Sequence, residues 1–285
     1  MMIRKGTILY ALALLMSVNA YSQSLHLTKQ EEKTLSEHRN EISTHAAFLS
    51  EDAFAGISSK YKFHAQQSAQ LRRYCDMREL KKYIHNYLET DSQLRYTEKE
   101  RIDSVFQDSI NAILIPYNHQ ISGPTISLAL LMSESLKVSK KHQEKLMNKA
   151  LDFARRLKKN PYTDIKKEEI SILRKNLTAK QLETVIDEKN NVQAQVKAKR
   201  AWEALEQAGV SRELDSLPQV TRAHLYYLIE MRYWDLYVGD NEVRDHNLQD
   251  LYRNKPKIIK MYEALDEKKR IQEKKEKSVG VEYSW

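Results

Sequence analysis

The chain has 285 residues, a formal net charge of +8 and 41% hydrophobic residues, but only 6 Gly and 5 Pro. Sandwiches and barrels turn often, and turns draw on those two residues, so their scarcity excludes such folds in favour of long helices with few connections. The single cysteine, Cys75, excludes an internal disulfide and leaves packing to hold the fold.

Arg4 and Lys5, the apolar run Thr7–Val18 and the small residues around Ala20 form the pattern of a secretory signal peptide over residues 1–20. The run is too short to span a bilayer comfortably, and no cysteine near the cleavage-type site supports a lipid anchor. No later stretch reaches membrane-span length, so the expected product is periplasmic or secreted, with no membrane span after cleavage. Losing Arg4 and Lys5 leaves a charge of about +6. Export makes nucleic acid an implausible partner.

The N-terminal helical part is expected over residues 21–117. Thr28 and Glu31 have capping-box spacing, and Leu35, Ile42 and Phe48 are read as the apolar contacts of a polar helix. Ser50-Glu51-Asp52 reads as a fresh helix start, with a weak point from Gly56 to Lys62. Leu71, Tyr74, Met77, Ile84, Tyr87 and Leu88 keep a helical period, and Cys75, in phase with them, reads as a buried small apolar residue. Thr97 to Glu100 suggests another capping box, before a stripe of Ile102, Val105, Phe106, Ile110, Ile113 and Leu114 that Pro116 ends.

Tyr117 to Gly123 reads as a loop, and Pro124 opens the C-terminal helical part over residues 124–277. Its first helix, with Ile126 and Leu128 to Met132, is apolar all round, as in a buried helix end. Val138-Ser139 offers either the next cap or a continuation of the same helix, Asn160-Pro161 a stop, and Thr163 or Asp164 a further cap. A helix of about thirty residues after Thr178 carries Leu182, Val185, Ile186, Val192, Val196, Trp202 and Leu205 and stops at Gly209. Ser216-Leu217-Pro218 begins another, Gly239-Asp240-Asn241 caps the next, and Lys255-Pro256 breaks before the last. The charged run from Glu267 to Lys277 is expected to fray into a disordered tail over residues 278–285. Thr97, Ser139, Thr178 and Thr221 recur at a spacing of about 40 residues, a hint of a repeated helical hairpin.

Asn176 to Leu182 has the most complete local chemistry. Thr178 suits the N-cap, Gln181 can close a capping box, and Leu177 and Leu182 have the spacing of a hydrophobic staple. Leu177-Thr178-x-x-Gln181 resembles the LTxxQ motif of the Spy/CpxP family, exported all-helical proteins that include an ATP-independent periplasmic chaperone and a stress-response regulator. Leu27-Thr28-x-x-Glu31 matches less closely, with Glu in the Gln place. The two stand 150 residues apart in a chain about twice the usual family length, so the resemblance covers a few dozen residues together with the leader and the helical character. It implies an all-α fold and a non-enzymatic envelope function.

Glu37, Glu41 and His45 recur at i, i+4 and i+8, with His38 three before Glu41; imidazole and carboxylate on one helix face suit zinc, although so polar a helix more often carries solvated side chains. No GxSxG, HExxH, CxxC or phosphate-binding glycine loop occurs, and neither a catalytic set nor a cofactor is expected. Tyr226, Tyr227, Tyr233, Trp234 and Tyr237, with Arg222 and Arg232, are the partner-binding candidates, since aromatics at an interface combine large area with a polar handle. These five aromatics wrap most of a helix, so some belong to a core. The resulting expectation is an all-α bundle of long antiparallel helices that binds protein or unfolded polypeptide, as a chaperone-like or envelope-stress component. The alternatives are a structural scaffold in an envelope complex, and a metal sensor or enzyme with a scattered site.

Overall fold

The computed structural model describes residues 25–210 and 216–279, so the expected leader at 1–20 and the tail from 280 onward lie outside the described residues. Helices account for all regular structure among the described residues. The chain divides into two compact units, Met1–Leu177 and Thr178–Trp285. The Tyr117–Gly123 connection lies within the first unit.

The first unit holds α1 (Lys29–Glu37), α2 (Arg39–Ser58), α3 (Ala65–Leu88), α4 (Ser92–Leu114), α5 (His119–Ser122), α6 (Pro124–Leu131), α7 (Lys140–Lys159) and α8 (Ile165–Arg174). Helices α2, α3 and α4 pack in succession. Leu71, Tyr74 and Cys75 of α3 meet Ile102, Phe106, Ile110 and Ile113 of α4 in one buried cluster, with the Tyr74 and Phe106 rings edge to face at 6.5 Å. Cys75 is a core residue, as its phase indicates, and burial pushes its thiol up, away from the reactive thiolate.

Several expected boundaries shift. Ser50 starts no helix: it lies inside α2, buried, and its hydroxyl donates to Asp76 Oδ1 at 2.8 Å. Thr97 is also interior, its hydroxyl donating to the Gln93 carbonyl at 3.0 Å. Helix α4 begins instead at Asp91, whose carboxylate accepts from the Gln93 and Leu94 N–H groups at 2.7 and 3.0 Å. An aspartate at the true N-cap answers orphan donors that a mid-helix threonine cannot reach. Thr221 likewise donates to the Leu217 carbonyl one turn back. With two of its four marks inside helices, the forty-residue repeat dissolves. Phe48 is 74% exposed, because the inward face of α2 is carried by Ile42, Ala46 and Ser50. Val105, too, is exposed on α4. The loop before Pro124 contains the single-turn α5, capped by Asn118, and the charged run after Glu267 continues α12, described below, to Val279.

Two carboxylates tie the first unit across long sequence distances. Glu31 closes the expected capping box, accepting from the Thr28 N–H at 2.7 Å while its own N–H donates to Thr28 Oγ1 at 3.2 Å. The same buried carboxylate meets Lys81 Nζ and His85 Nε2 of α3, each at 3.4 Å, and so pins α1. Burial opposes its ionisation, but the His85 and Thr28 hydrogen bonds and the Lys81 charge overcome that and hold the carboxyl at about 2. Glu169 on α8 is 1% exposed and accepts from the Thr125 and Ile126 N–H groups at 2.6 and 2.9 Å and from Thr125 Oγ1 at 3.2 Å. It therefore caps the N-terminus of α6 in place of Gly123, which precedes Pro124 at φ +93° and has no side chain. A Cβ on Gly123 would overlap the Glu169 carboxyl group.

The second unit holds α9 (Ala179–Gln207), α10 (Ser216–Leu236), α11 (Asn241–Arg253) and α12 (Lys257–Val279). Helix α9, 29 residues and about 44 Å long at ~1.5 Å per residue, starts at the Thr178–Gln181 capping box and ends where Gly209, at φ +71°, lets the Val210 N–H reach back to the Leu205 carbonyl at 3.0 Å. Its N-terminal half buries Leu182, Val185 and Ile186 as expected. Val192 and Val196 are 70% and 53% exposed, however, and the buried face beyond them is Asn190, Ala194, Ala198, Ala201 and Leu205. Small residues let α10 approach closely, and Ala223 of α10 joins that interface, with Tyr226 and with Ile258 and Ile259 of α12 completing the core. No described helix is long and apolar enough to cross a membrane.

Two tests follow from the carboxylate ties. Gly123→Ala and Glu169→Ala should each lower unfolding free energy by about 2–4 kcal/mol, the first through positive-φ strain and overlap, the second by orphaning buried N–H groups; urea unfolding followed by far-UV circular dichroism measures both. Glu31 has its carboxyl depressed in the fold from 4.5 to about 2. Its contribution, on the order of 3 kcal/mol, is complete above pH ~4.5 and is lost as pH falls through about 2. Across that window the urea midpoint of Glu31→Gln should fall less steeply than that of the parent chain, and parallel curves would refute the assignment.

Candidate partner-binding groove

Helices α9 and α10 run antiparallel with their alanines inward, which leaves the longer polar side chains to meet along the margins. Arg232 forks onto Asp187, with Nε at 2.7 Å from Oδ1 and Nη2 on Oδ2. His224 Nε2 lies 2.9 Å from Asn191 Oδ1. Asp235, 6% exposed, accepts from Lys189 Nζ at 2.9 Å and from Asn190 Nδ2 at 3.0 Å. Lys197 Nζ stands 3.9 Å from Glu230 and 5.3 Å above the Tyr227 ring.

Between these pairs runs an open groove of about 480 Å³, lined by Lys189, Asn190, Gln193 and Lys197 of α9 and Glu230, Met231, Trp234 and Asp235 of α10. Trp234 is 45% exposed there. Two residues of α11 hold it: the Arg244 guanidinium covers its ring at 4.3 Å, and Tyr252 shares a hydrogen bond with it while donating to Glu230 Oε1 at 3.2 Å. Arg244 is itself fixed by Asn241 Oδ1 at 2.9 Å and Asp245 at 2.8 Å. The indole therefore stands in the groove already ordered, with a thioether beside it and charged pairs around it. Such a surface suits an apolar side chain in an extended or helical polypeptide, with the charges orienting the backbone and polar flanks.

The seven partner-binding candidates separate in space. Trp234 alone lines the groove. Tyr226 is buried in the core, where burial and the nearby Glu230 and Glu263 push its phenol up. Tyr227 stands edge-on to it at 5.5 Å, and burial with the Tyr262 and Glu230 fields raises its phenol to about 12. Tyr233 and Tyr237 pack on each other at 6.1 Å. Arg232 is held by Asp187, and Arg222 is solvent-exposed. Sequence reasoning missed the α9 wall and Asp235. The usable signal was the Asn190-Ala194-Ala198-Ala201 spacing, which marks a close helix contact flanked by Lys189, Gln193 and Lys197.

The four metal candidates stay apart in function. His38 stacks on Tyr87 at 4.4 Å and His45 on Tyr83 at 5.1 Å, with His45 Nδ1 also 2.9 Å from the Glu41 carbonyl. Glu41 hydrogen-bonds Tyr87, raising that phenol to about 12, and Glu37 faces Lys33 at 3.8 Å. Among the described residues no three His, Cys, Asp or Glu side chains converge as a metal set. Leu177, Thr178 and Gln181 are engaged in local structure: Thr178 N–H donates to Gln181 Oε1 at 2.9 Å, Gln181 N–H to Thr178 Oγ1 at 3.3 Å, and Leu177 is buried.

Comparison with protein-family models, with curated proteins and with solved structures finds no match to this chain.

The α9–α10 contact makes a paired prediction. Ala198→Leu should overfill the interface and destabilise the second unit by about 1–3 kcal/mol. Val192→Ser, on the exposed face, should stay within about 0.5 kcal/mol of the parent. Thermal unfolding of the two variants side by side checks this, and equal losses would contradict the alanine-face geometry.

Proposed function

We propose that this is an exported, non-enzymatic binding protein that holds polypeptide segments in the α9–α10 groove, in the manner of a chaperone or envelope-stress component. The observation that carries this reading is Trp234, partly exposed, clamped by Arg244 and Tyr252, and set beside Met231 in a groove edged by Lys189, Lys197, Glu230 and Asp235. An anchor ordered before binding loses little conformational freedom when a client arrives. The charged groups at the rim already face one another as Lys189–Asp235 and Lys197–Glu230, which supports orientation and weak capture of a client over proton transfer to a substrate. The leader expected at residues 1–20 and the LTxxQ-type motif at Leu177–Gln181 agree with an envelope role of the Spy/CpxP kind.

The test is suppression of aggregation of an unfolding client by stoichiometric amounts of this protein at low salt. The parent chain should protect. Trp234→Ala should weaken client binding by about 2 kcal/mol, roughly thirtyfold, while keeping its helical content. Absence of protection by the parent chain, or full protection by Trp234→Ala, would overturn the reading.

A further inference from the structure

The net positive charge of this protein is concentrated in one segment of its sequence. Residues 137–175 hold thirteen Lys and Arg against five Asp and Glu, a net +8 that equals the charge of the whole chain. Within it, residues 155–167 carry Arg155, Arg156, Lys158, Lys159, Lys166 and Lys167 against Asp164 alone. These are the last turn of α7, the five-residue link to α8 and the first turn of α8, so the fold brings them to one corner.

That corner is built. The Asn160 N–H closes α7 on the Arg156 carbonyl at 2.8 Å, and the Thr163 hydroxyl donates to the Asn160 carbonyl at 2.8 Å. The Tyr162 N–H donates to Asn160 Oδ1 at 3.2 Å, and the Asp164 carboxylate caps α8 through the Lys167 N–H at 3.1 Å. Arg156 Nη2 meets Glu168 Oε2 at 3.0 Å and ties the two helix ends together. With its backbone so held, the link projects the Tyr162 side chain almost wholly into solvent, 95% exposed, and leaves Ile165 exposed next to it. Lys158, Lys159 and Lys167, on either side, form no ion pair among the described residues.

We propose that this corner docks peripherally on an anionic lipid bilayer surface, with the Tyr162 ring and Ile165 entering the interfacial layer and the lysines facing the phosphate headgroups. Cations alone would fit any polyanion. An amphipathic ring and an aliphatic side chain held at the apex of the charge cluster favour a surface that is apolar just beneath its negative layer. No helix needs to insert, consistent with the lack of a membrane-spanning helix among the described residues.

Co-sedimentation of the full chain with vesicles of equimolar phosphatidylglycerol and phosphatidylcholine tests this. The parent should bind, and binding should weaken as salt rises. Lys158→Gln, Lys159→Gln and Lys167→Gln combined should reduce affinity roughly a hundredfold, and Tyr162→Ala several-fold. All four side chains are exposed, and unchanged circular dichroism and melting temperature confirm that folding is intact. Parent-like vesicle binding by the triple variant would overturn the proposal. Equal affinity for soluble polyglutamate, indifferent to Tyr162→Ala, would also overturn it and reassign the corner to acidic chains.

Discussion

The first unit depends on a carboxylate taken out of water. Glu169 on α8 has no bulk solvent to stabilise its charge, and what replaces it is the pair of N–H groups that open α6, with the Thr125 hydroxyl beside them. A buried charge is tolerable only when such groups answer it. The tie is mutual, because the first N–H groups of α6 would otherwise lack partners. It also dictates what stands at position 123, where only a residue without a Cβ leaves room for the carboxyl group and accepts the positive φ. Glu31, between the start of α1 and the Lys81–His85 turn of α3, repeats the principle with charged partners added.

The second unit solves a different problem by different means. Its longest helix has too few large apolar residues beyond Ile186 to bury a bulky stripe, so it uses alanines and brings α10 near. Polar side chains beside the alanine seam then meet across it: Arg232 with Asp187, Asn190 with Asp235, His224 with Asn191. The groove with Trp234 is a by-product of that spacing, since longer side chains at 193, 197, 231 and 234 stand off from the alanine seam and leave space between them.

The fold class was legible because few glycines and prolines and many helix caps leave little else for the chain to form. Capping signals were read correctly at Thr28 and Thr178; of the open pair Thr163 and Asp164 the structure uses Asp164, and of Gly239-Asp240-Asn241 it uses Asp240. They misled at Ser50 and Thr97, since a hydroxyl inside a helix can bond to a carbonyl one turn back and leaves the same spacing in the sequence. The stripe on α9 failed at Val192 and Val196 because hydrophobicity ranks valine above alanine, whereas a close helix contact selects for size. Glu169 was invisible beforehand: beside Glu168 in lysine-rich sequence it resembles a solvated face, and only the fold brings Thr125 to it. Trp234 was among the named aromatics, but its clamp by Arg244 and Tyr252 depends on how α11 folds back, which no local pattern encodes.

The partition at Thr178 has an optical consequence. All three tryptophans, Trp202, Trp234 and Trp285, fall on the C-terminal side of it, and none on the other. Emission from Trp202 and Trp234 therefore follows the α9–α12 unit, while the α1–α8 unit has no indole and contributes only to the tyrosine and amide signals that both units share. Denaturation curves by indole emission and by far-UV circular dichroism that fail to superimpose would therefore show that the two units melt separately.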